Sequence, residues 1–317
     1  MKIIGTGRAN PAKIVTNAML EEFLDTSDEW IRERTGMTER HVISNEKLED
    51  LAAEAARKAI EDAGITPEDI DYIICSNVVN EYITPGLSCI IQGAIGAKGA
   101  CVDVNAACSG FIYALDMADD RIKSGKAKTI LVVAAEEPTR MVDWKDRSIC
   151  VLFGDGAGAA VVTEGDALLC SRLTTVSKTE CLHYVRTLEP TPYITKQEES
   201  KPMFMNGREV FKTAVLSSSR DIRTLLDKAG LQPEDIKYYI LHQANMRIIE
   251  SICGQLKLDM SHFPTNVAHY GNTSSASVAI LLDELNRDGK LHKGVKLLLS
   301  AFGAGFTTGA CIIEWTK

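Results

Sequence analysis

The chain has 317 residues, 45% hydrophobic and 25% charged, a balance that suits one large or two medium folded domains with a substantial core. A formal net charge of −8 argues against general nucleic-acid binding, which brings a basic excess, but allows a local basic patch for an anionic substrate. MKIIGTGRANPAKIV is too interrupted for a signal peptide, no stretch approaches a membrane span, and the nine cysteines show neither a CxxC pair nor zinc-ligand spacing, so the expectation is a soluble, reduced, cytoplasmic protein without a metal site.

From the N-terminus, GTGRAN lacks the third glycine of a dinucleotide fingerprint, which excludes that mode of nucleotide binding. LEDLAAEAARKAIEDAG (48–64) reads as an amphipathic helix closing on a glycine cap. DYIICSNVV (71–79) and ACVDVNA (100–106) read as strands, SGFIYALDMADDRIKSG (109–125) as a helix, and KTILVVAA (128–135) and CVLFGDGAGAAVV (150–162) as strands. Such alternation predicts a mostly parallel sheet with helices packed outside. The segment from about 171 to 208 has weak periodicity and many polar and turn residues. Two readings stand for it: an excursion covering one face, and a plain surface insertion.

The chain also repeats itself. AGITPEDIDYII begins at Ala63 and AGLQPEDIKYYI at Ala229, 166 residues later, with eight of twelve positions identical. Downstream, a small-residue turn and helix recur (AACSGFIYALDM, GNTSSASVAILLDEL), then a Gly-rich hairpin (FGDGAGAAVV, FGAGFTTGACII). We expect two similar halves, 1–165 and 166–317, with the site between them.

Three polar residues interrupt these patterns where chemistry is plausible. Cys108 follows ACVDVNA and opens SGFIYALDM, where helix-terminal N–H groups and the dipole favour a thiolate; a buried structural cysteine is the competing reading. His242 ends KYYILHQAN, and its repeat partner is Ser76, so the histidine belongs to one half only. A site at a strand's carboxyl end and a merely satisfied histidine both fit it. Asn272, in HYGNTSSASVAI, suits either a site or a turn cap. Backbone N–H groups of FGAG are placed to form half of an oxyanion hole.

Taken in order, AACSGF, LHQAN, YGNTSSAS and AFGAGFTTGA resemble the ketoacyl-ACP synthase III family of the thiolase-like superfamily. The similarity extends through TSDEWIRERTG (26–36), DWKDRS (143–148), FGDGAGAA and NGREVFK (206–212). It implies a five-layered α/β/α/β/α fold of two pseudo-duplicated halves, usually a homodimer. It also implies a catalytic triad of Cys108, His242 and Asn272, with the backbone N–H groups of Cys108 and Ala304 as the oxyanion hole. The implied reaction is decarboxylative condensation of an acyl-CoA primer with malonyl-ACP, without metal or redox cofactor, initiating type II fatty-acid synthesis. The alternative is an enzyme that primes a specialised pathway (polyketide, biotin-type or signalling) with a non-acetyl primer.

By the same resemblance Trp30, Arg34 and Arg147 hold CoA, Gly207 and Asn245 line the pantetheine channel, and Lys212 and Arg247 dock the acidic carrier protein. Two positions depart from the family pattern. Gly254 and Gln255 stand where some members carry paired lysines, although Lys257 is close by. Thr84 stands where some members place a bulky aromatic that closes the acyl pocket across the dimer, which predicts a branched or longer primer.

Overall fold

A computed structural model describes residues 1–187, 191–193 and 201–317. Its strands are β1 (Lys2–Ala9), β2 (Ile14–Thr16), β3 (Glu39–His41), β4 (Tyr72–Ser76), β5 (Ala100–Val104), β6 (Thr129–Glu136), β7 (Gly156–Thr163), β8 (Leu168–Thr175), β9 (Leu182–His183), β10 (Phe204–Met205), β11 (Tyr238–Leu241), β12 (Lys296–Gly303) and β13 (Thr307–Glu314). The helices are α1 (Asn17–Glu21), α2 (Asp28–Thr35), α3 (Leu48–Ala63), α4 (Leu87–Ile95), α5 (Gly110–Lys123), α6 (Gly207–Ala229), α7 (Met246–Leu256), α8 (Val267–Tyr270) and α9 (Ala276–Arg287).

Two sheets carry the architecture, ordered β1-β7-β6-β4-β5 and β8-β13-β12-β11. Both are mixed rather than mostly parallel. The β4–β5, β4–β6 and β11–β12 pairs are parallel, whereas β1–β7, β6–β7, β12–β13 and β13–β8 are antiparallel. For β12 and β13 the reason is connection length: three residues join them, too few for the crossover a parallel pair requires.

Helices α5 and α9 lie between the sheets, and their apolar side chains share one core with residues of both, from Ile74 and Val132 to Leu299 and Trp315. Helices α3 and α4 cover the outer face of the first sheet, and α6 and α7 that of the second. The result is five layers, α/β/α/β/α. Each copy of the Pro-Glu-Asp turn forms a 3-10 turn with a capping box and leads into β4 or β11.

The early glycines serve packing. A Cβ on Gly5 or Gly7 would lie 2.2 Å from the carbonyl oxygens of Ala59 and Ala55, so β1 approaches α3 only because both positions are glycine. The expected strand over 150–162 begins only at Gly156. Cys150–Leu152 form a 3-10 turn, and Asp155 turns inward to accept from the N–H groups of Ile43 and Thr139. The expected excursion starts after Thr175, because β8 pairs with β13; its stretches 188–190 and 194–200 lie outside the described residues. No helix among the described residues is long and apolar enough to cross a membrane.

Candidate active site

The turn between β5 and α5 is tight. Ala107 has φ of 48°, and the hydroxyls of Ser109 and Thr307 donate to the Ala106 carbonyl at 2.7 and 2.8 Å. Gly303, at the end of β12, backs directly onto it. A Cβ there would lie 2.6 Å from the Cys108 nitrogen and 2.8 Å from the Ala107 Cβ. Small residues at this junction therefore let the strand and the Cys108 turn meet.

A cavity of about 1060 Å³ opens onto Cys108, and His242, Asn272 and Ala304 line it too. Trp30, Arg34, Gly207, Asn245 and Arg247 also belong to its walls. Arg147, Lys212 and Thr84 do not, and all three are exposed. Arg147 nevertheless holds its guanidinium 5.1 Å from the Trp30 ring centre, with that of Arg34 at 5.9 Å, and it pairs with Asp25. An indole and two guanidinium planes are thus gathered at one place.

His242 donates its backbone N–H to Ser300 O at 2.8 Å. Its Nδ1 meets Ser277 Oγ at 2.7 Å, and the Gln243 N–H occupies a lone pair of that hydroxyl at 3.3 Å. Where Ser277 gives its proton to Nδ1, the ring proton sits on Nε2. Nε2 itself is buried with no hydrogen-bond partner among the described residues. Burial pushes this imidazole down to about 3, so it is neutral at physiological pH.

Asn272 is fixed by its backbone, which donates to Leu152 O (2.8 Å) and accepts from Gly154 N (3.1 Å). Its Oδ1 accepts from the Ser274 N–H at 2.9 Å, which directs the Nδ2 amide elsewhere.

Cys108 departs from the thiolate expectation. Burial pushes its thiol up to about 12, outweighing the Ser274 hydroxyl and its own backbone N–H, which favour the anion. Cys108 lines a largely apolar cavity, whose walls include Val79, Ile83, Met141, Leu152, Met203 and Met205.

Three polar contacts were not anticipated. Ser277 orients His242. Ser274 Oγ lies 3.5 Å from Cys108 Sγ and 3.3 Å from Glu136 Oε1. Glu136, only 1% exposed, also accepts from Ser275 Oγ at 2.6 Å and Val78 N at 3.1 Å. A signal for Ser274 existed, since it stands 166 residues after Cys108. Glu136 shows only as the acid that ends the apolar run KTILVVAA. Among the described residues, no group of three or more His, Cys, Asp or Glu is placed to hold a metal ion.

Comparison with known proteins points one way. A family model of 3-oxoacyl-[acyl-carrier-protein] synthase III matches residues 102–179, and a model of the C-terminal part of the same family matches residues 226–315. The beta-ketoacyl-[acyl-carrier-protein] synthase III of Clostridium acetobutylicum is 45% identical, over 100% of this chain and 99% of its own. The crystal structure of the synthase III from Aquifex aeolicus superposes with a TM-score of 0.92 at 42% identity, covering 99% of both chains. That from Thermus thermophilus gives 0.93 at 36%, again over 99% of both. With its layers, its cavity and its full-length similarity all in agreement, this chain belongs to the 3-oxoacyl-[acyl-carrier-protein] synthase III family, within the thiolase-like fold.

Proposed function

We propose that the protein condenses an acyl-CoA primer with malonyl-ACP, giving 3-oxoacyl-ACP, CoA and carbon dioxide, as the first step of type II fatty-acid synthesis. The observation that carries this reading is the convergence of Cys108, the buried Nε2 of His242 and Asn272 on one cavity. Specialised priming is not favoured, because relatives at 42–45% identity over essentially full length carry the synthase III name.

In the first half-reaction the Cys108 sulfur attacks the acyl-CoA carbonyl carbon. Backbone N–H groups of Cys108 and Ala304 hold the developing oxyanion, the C–S bond to CoA breaks, and the CoA thiolate takes a proton from solvent. In the second, malonyl-ACP enters the same cavity. The bond to its carboxylate breaks, carbon dioxide leaves, and the electron pair passes into the thioester as an enolate. The Nε2–H of His242 and the Nδ2–H of Asn272 stabilise the enolate oxygen, which a neutral imidazole in this tautomer is able to do. The enolate carbon then attacks the acyl-enzyme, forming the new C–C bond and expelling the Cys108 thiolate.

Trp30, Arg34 and Arg147 stack on the CoA adenine, supported by their mutual distances. Gly207 and Asn245 line the pantetheine path. Exposed Arg247 and Lys212 dock the acidic carrier protein. Arg223, whose guanidinium donates to Gln255 O at 2.5 Å, returns a cation near the position where paired lysines are missing. Residues 1–165 and 166–317 are the two halves, supported by the matching strand order of the two sheets. The protein works in the cytoplasm as a homodimer, for which the unpaired outer edge of β5 offers a contact.

The decisive experiment combines mass-tagged acyl-CoA with malonyl-ACP. A mass shift on Cys108 and release of 3-oxoacyl-ACP are expected. A covalent acyl-enzyme that persists in Cys108→Ala overturns the reading.

A further inference from the structure

The half-buried Cys108 thiol leaves one step without an agent. Cys108 must lose its proton before or during attack, yet its surroundings hold the thiol neutral, at about 12. His242 is poorly suited to take that proton, because burial pushes its imidazole down to about 3 and Ser277 Oγ already engages its Nδ1. Behind the sulfur, however, stands a hydroxyl bridging to a buried carboxyl: Cys108 Sγ to Ser274 Oγ at 3.5 Å, and Ser274 Oγ to Glu136 Oε1 at 3.3 Å.

We propose that Glu136 accepts the Cys108 proton through Ser274, and so makes the nucleophile competent for acylation. The hydroxyl has one proton and two lone pairs, so it serves one neighbour as donor and the other as acceptor at any moment. With the carboxylate ionised, Ser274 donates to Glu136 and accepts from the thiol. As the sulfur attacks, the S–H bond breaks and a Ser274 O–H bond forms. The former Ser274 proton passes to Glu136, whose carboxylate becomes a neutral acid. Charge is conserved, because the thiolate's negative charge replaces the carboxylate's. When condensation expels the Cys108 thiolate, the same two hops run backwards, so Glu136 holds the proton for the lifetime of the acyl-enzyme. Its carboxyl is then uncharged while the malonyl carboxylate enters.

The surroundings suit that task. Ser275 Oγ and Val78 N steady the carboxyl, and Ser76 Oγ donates to Ser275 Oγ at 2.9 Å, which commits the Ser275 proton to Glu136. Burial raises this group to about 7, near the pH at which an acceptor works best. Nearby titratable groups are engaged elsewhere or buried. Glu137 faces Arg140, Asp155 faces Thr139 and Ile43, and Asp103 accepts from the N–H groups of Leu87 and Ser88. Cys75, on β4, and Cys108 feel the Glu136 charge directly. No Lys, Arg or His pairs with Glu136 among the described residues.

The inference rests on Cys108 being the nucleophile, and its test needs no substrate. Alkylation of Cys108 by iodoacetamide is followed by peptide mass spectrometry from pH 5.5 to 9.5, with exposed Cys89 as internal reference. In the parent protein the Cys108 rate is expected to rise with a midpoint near 7. In Glu136→Gln it is expected to fall by about 10²-fold at pH 7.5, and to climb log-linearly with pH without that midpoint. Glu136→Asp, which keeps the carboxyl, is expected to restore a midpoint, and Ser274→Ala to lose it. A midpoint retained in Glu136→Gln, or a loss by one factor at every pH, overturns the proposal. Should Glu136→Gln fail to fold, a retained midpoint in Ser274→Ala overturns it equally. Loss of condensation with a normal alkylation profile would instead count against the condensing reaction.

Discussion

Cys108 and Ser274 stand 166 residues apart, the same offset that separates the two Pro-Glu-Asp turns, and their side chains meet at 3.5 Å. Each precedes a central helix by two residues, α5 and α9 respectively. The repeat therefore places a thiol and a hydroxyl at equivalent positions, face to face. The repeat also sets different chemistry at matching positions, with Ser76 standing where the later copy has His242.

Removing the imidazole should separate the half-reactions. His242→Ala is expected to lower condensation by about 10²–10³-fold, the usual cost of one oxyanion donor, while acyl transfer to Cys108 falls much less. Single-turnover acylation and product release, measured separately, check it. Equal losses in both would contradict the division of roles.

Ser277→Ala tests how His242 is held. Without the hydroxyl, Nδ1 loses its partner and the proton is no longer directed to Nε2. The expected outcome is a fall of about 10-fold or more in condensation, with Cys108 acylation close to the parent rate. An unchanged condensation rate would show that the tautomer is set by something else.

Gly303→Ala places a methyl group against the turn that carries Cys108, 2.6 Å from its nitrogen. A destabilisation of about 1–3 kcal/mol is expected from overpacking, together with loss of acylation. Thermal melting and the Cys108 mass shift report the two effects independently.

Glu136 also predicts a pH dependence of stability. Its carboxyl is raised from 4.5 to about 7 by burial. The folded state therefore binds more protons than the unfolded state between those values. The corresponding stability is complete below 4.5 and is lost as pH rises through 7. The span corresponds to roughly 3 kcal/mol as an upper bound. Relative to the parent protein, Glu136→Gln should gain stability from pH 5 to pH 8 in denaturant titrations. A pH-independent difference would contradict this.

Primer choice turns on the loop before α4. Thr84 is exposed and does not line the cavity of its own chain, whereas Tyr82 and Ile83 do. A role for Thr84 in closing the acyl pocket thus requires a second copy. Branched or longer acyl-CoA primers are expected to outperform acetyl-CoA, and Thr84→Phe to reverse that preference. A strong acetyl preference in the parent protein would remove the roomy-pocket reading.

Much of this was legible in local sequence. Helix 48–64 was placed to within one residue, because an alanine-rich face and a glycine cap mark both its register and its end. The repeat located both Pro-Glu-Asp turns and hence the strands that follow them. What local reading missed depends on distant contacts. The 150–162 run began as a turn because Asp155 is drawn inward by Ile43 and Thr139, and Gly154 is tied to Asn272. The direction of the Cys108 shift reversed because cavity walls drawn from across the fold desolvate the sulfur. Glu136 reaches the site through serines 138 and 139 positions away, a relationship no window on the sequence contains.

The sandwiching of α5 and α9 between two sheets has a mechanical consequence. Neither half owns a complete hydrophobic interior, since each central helix shares a core with both sheets. Cut at 165/166, each fragment would expose an apolar surface that only the other can cover. The two fragments therefore depend on one another for a dry interior, and neither is expected to fold alone.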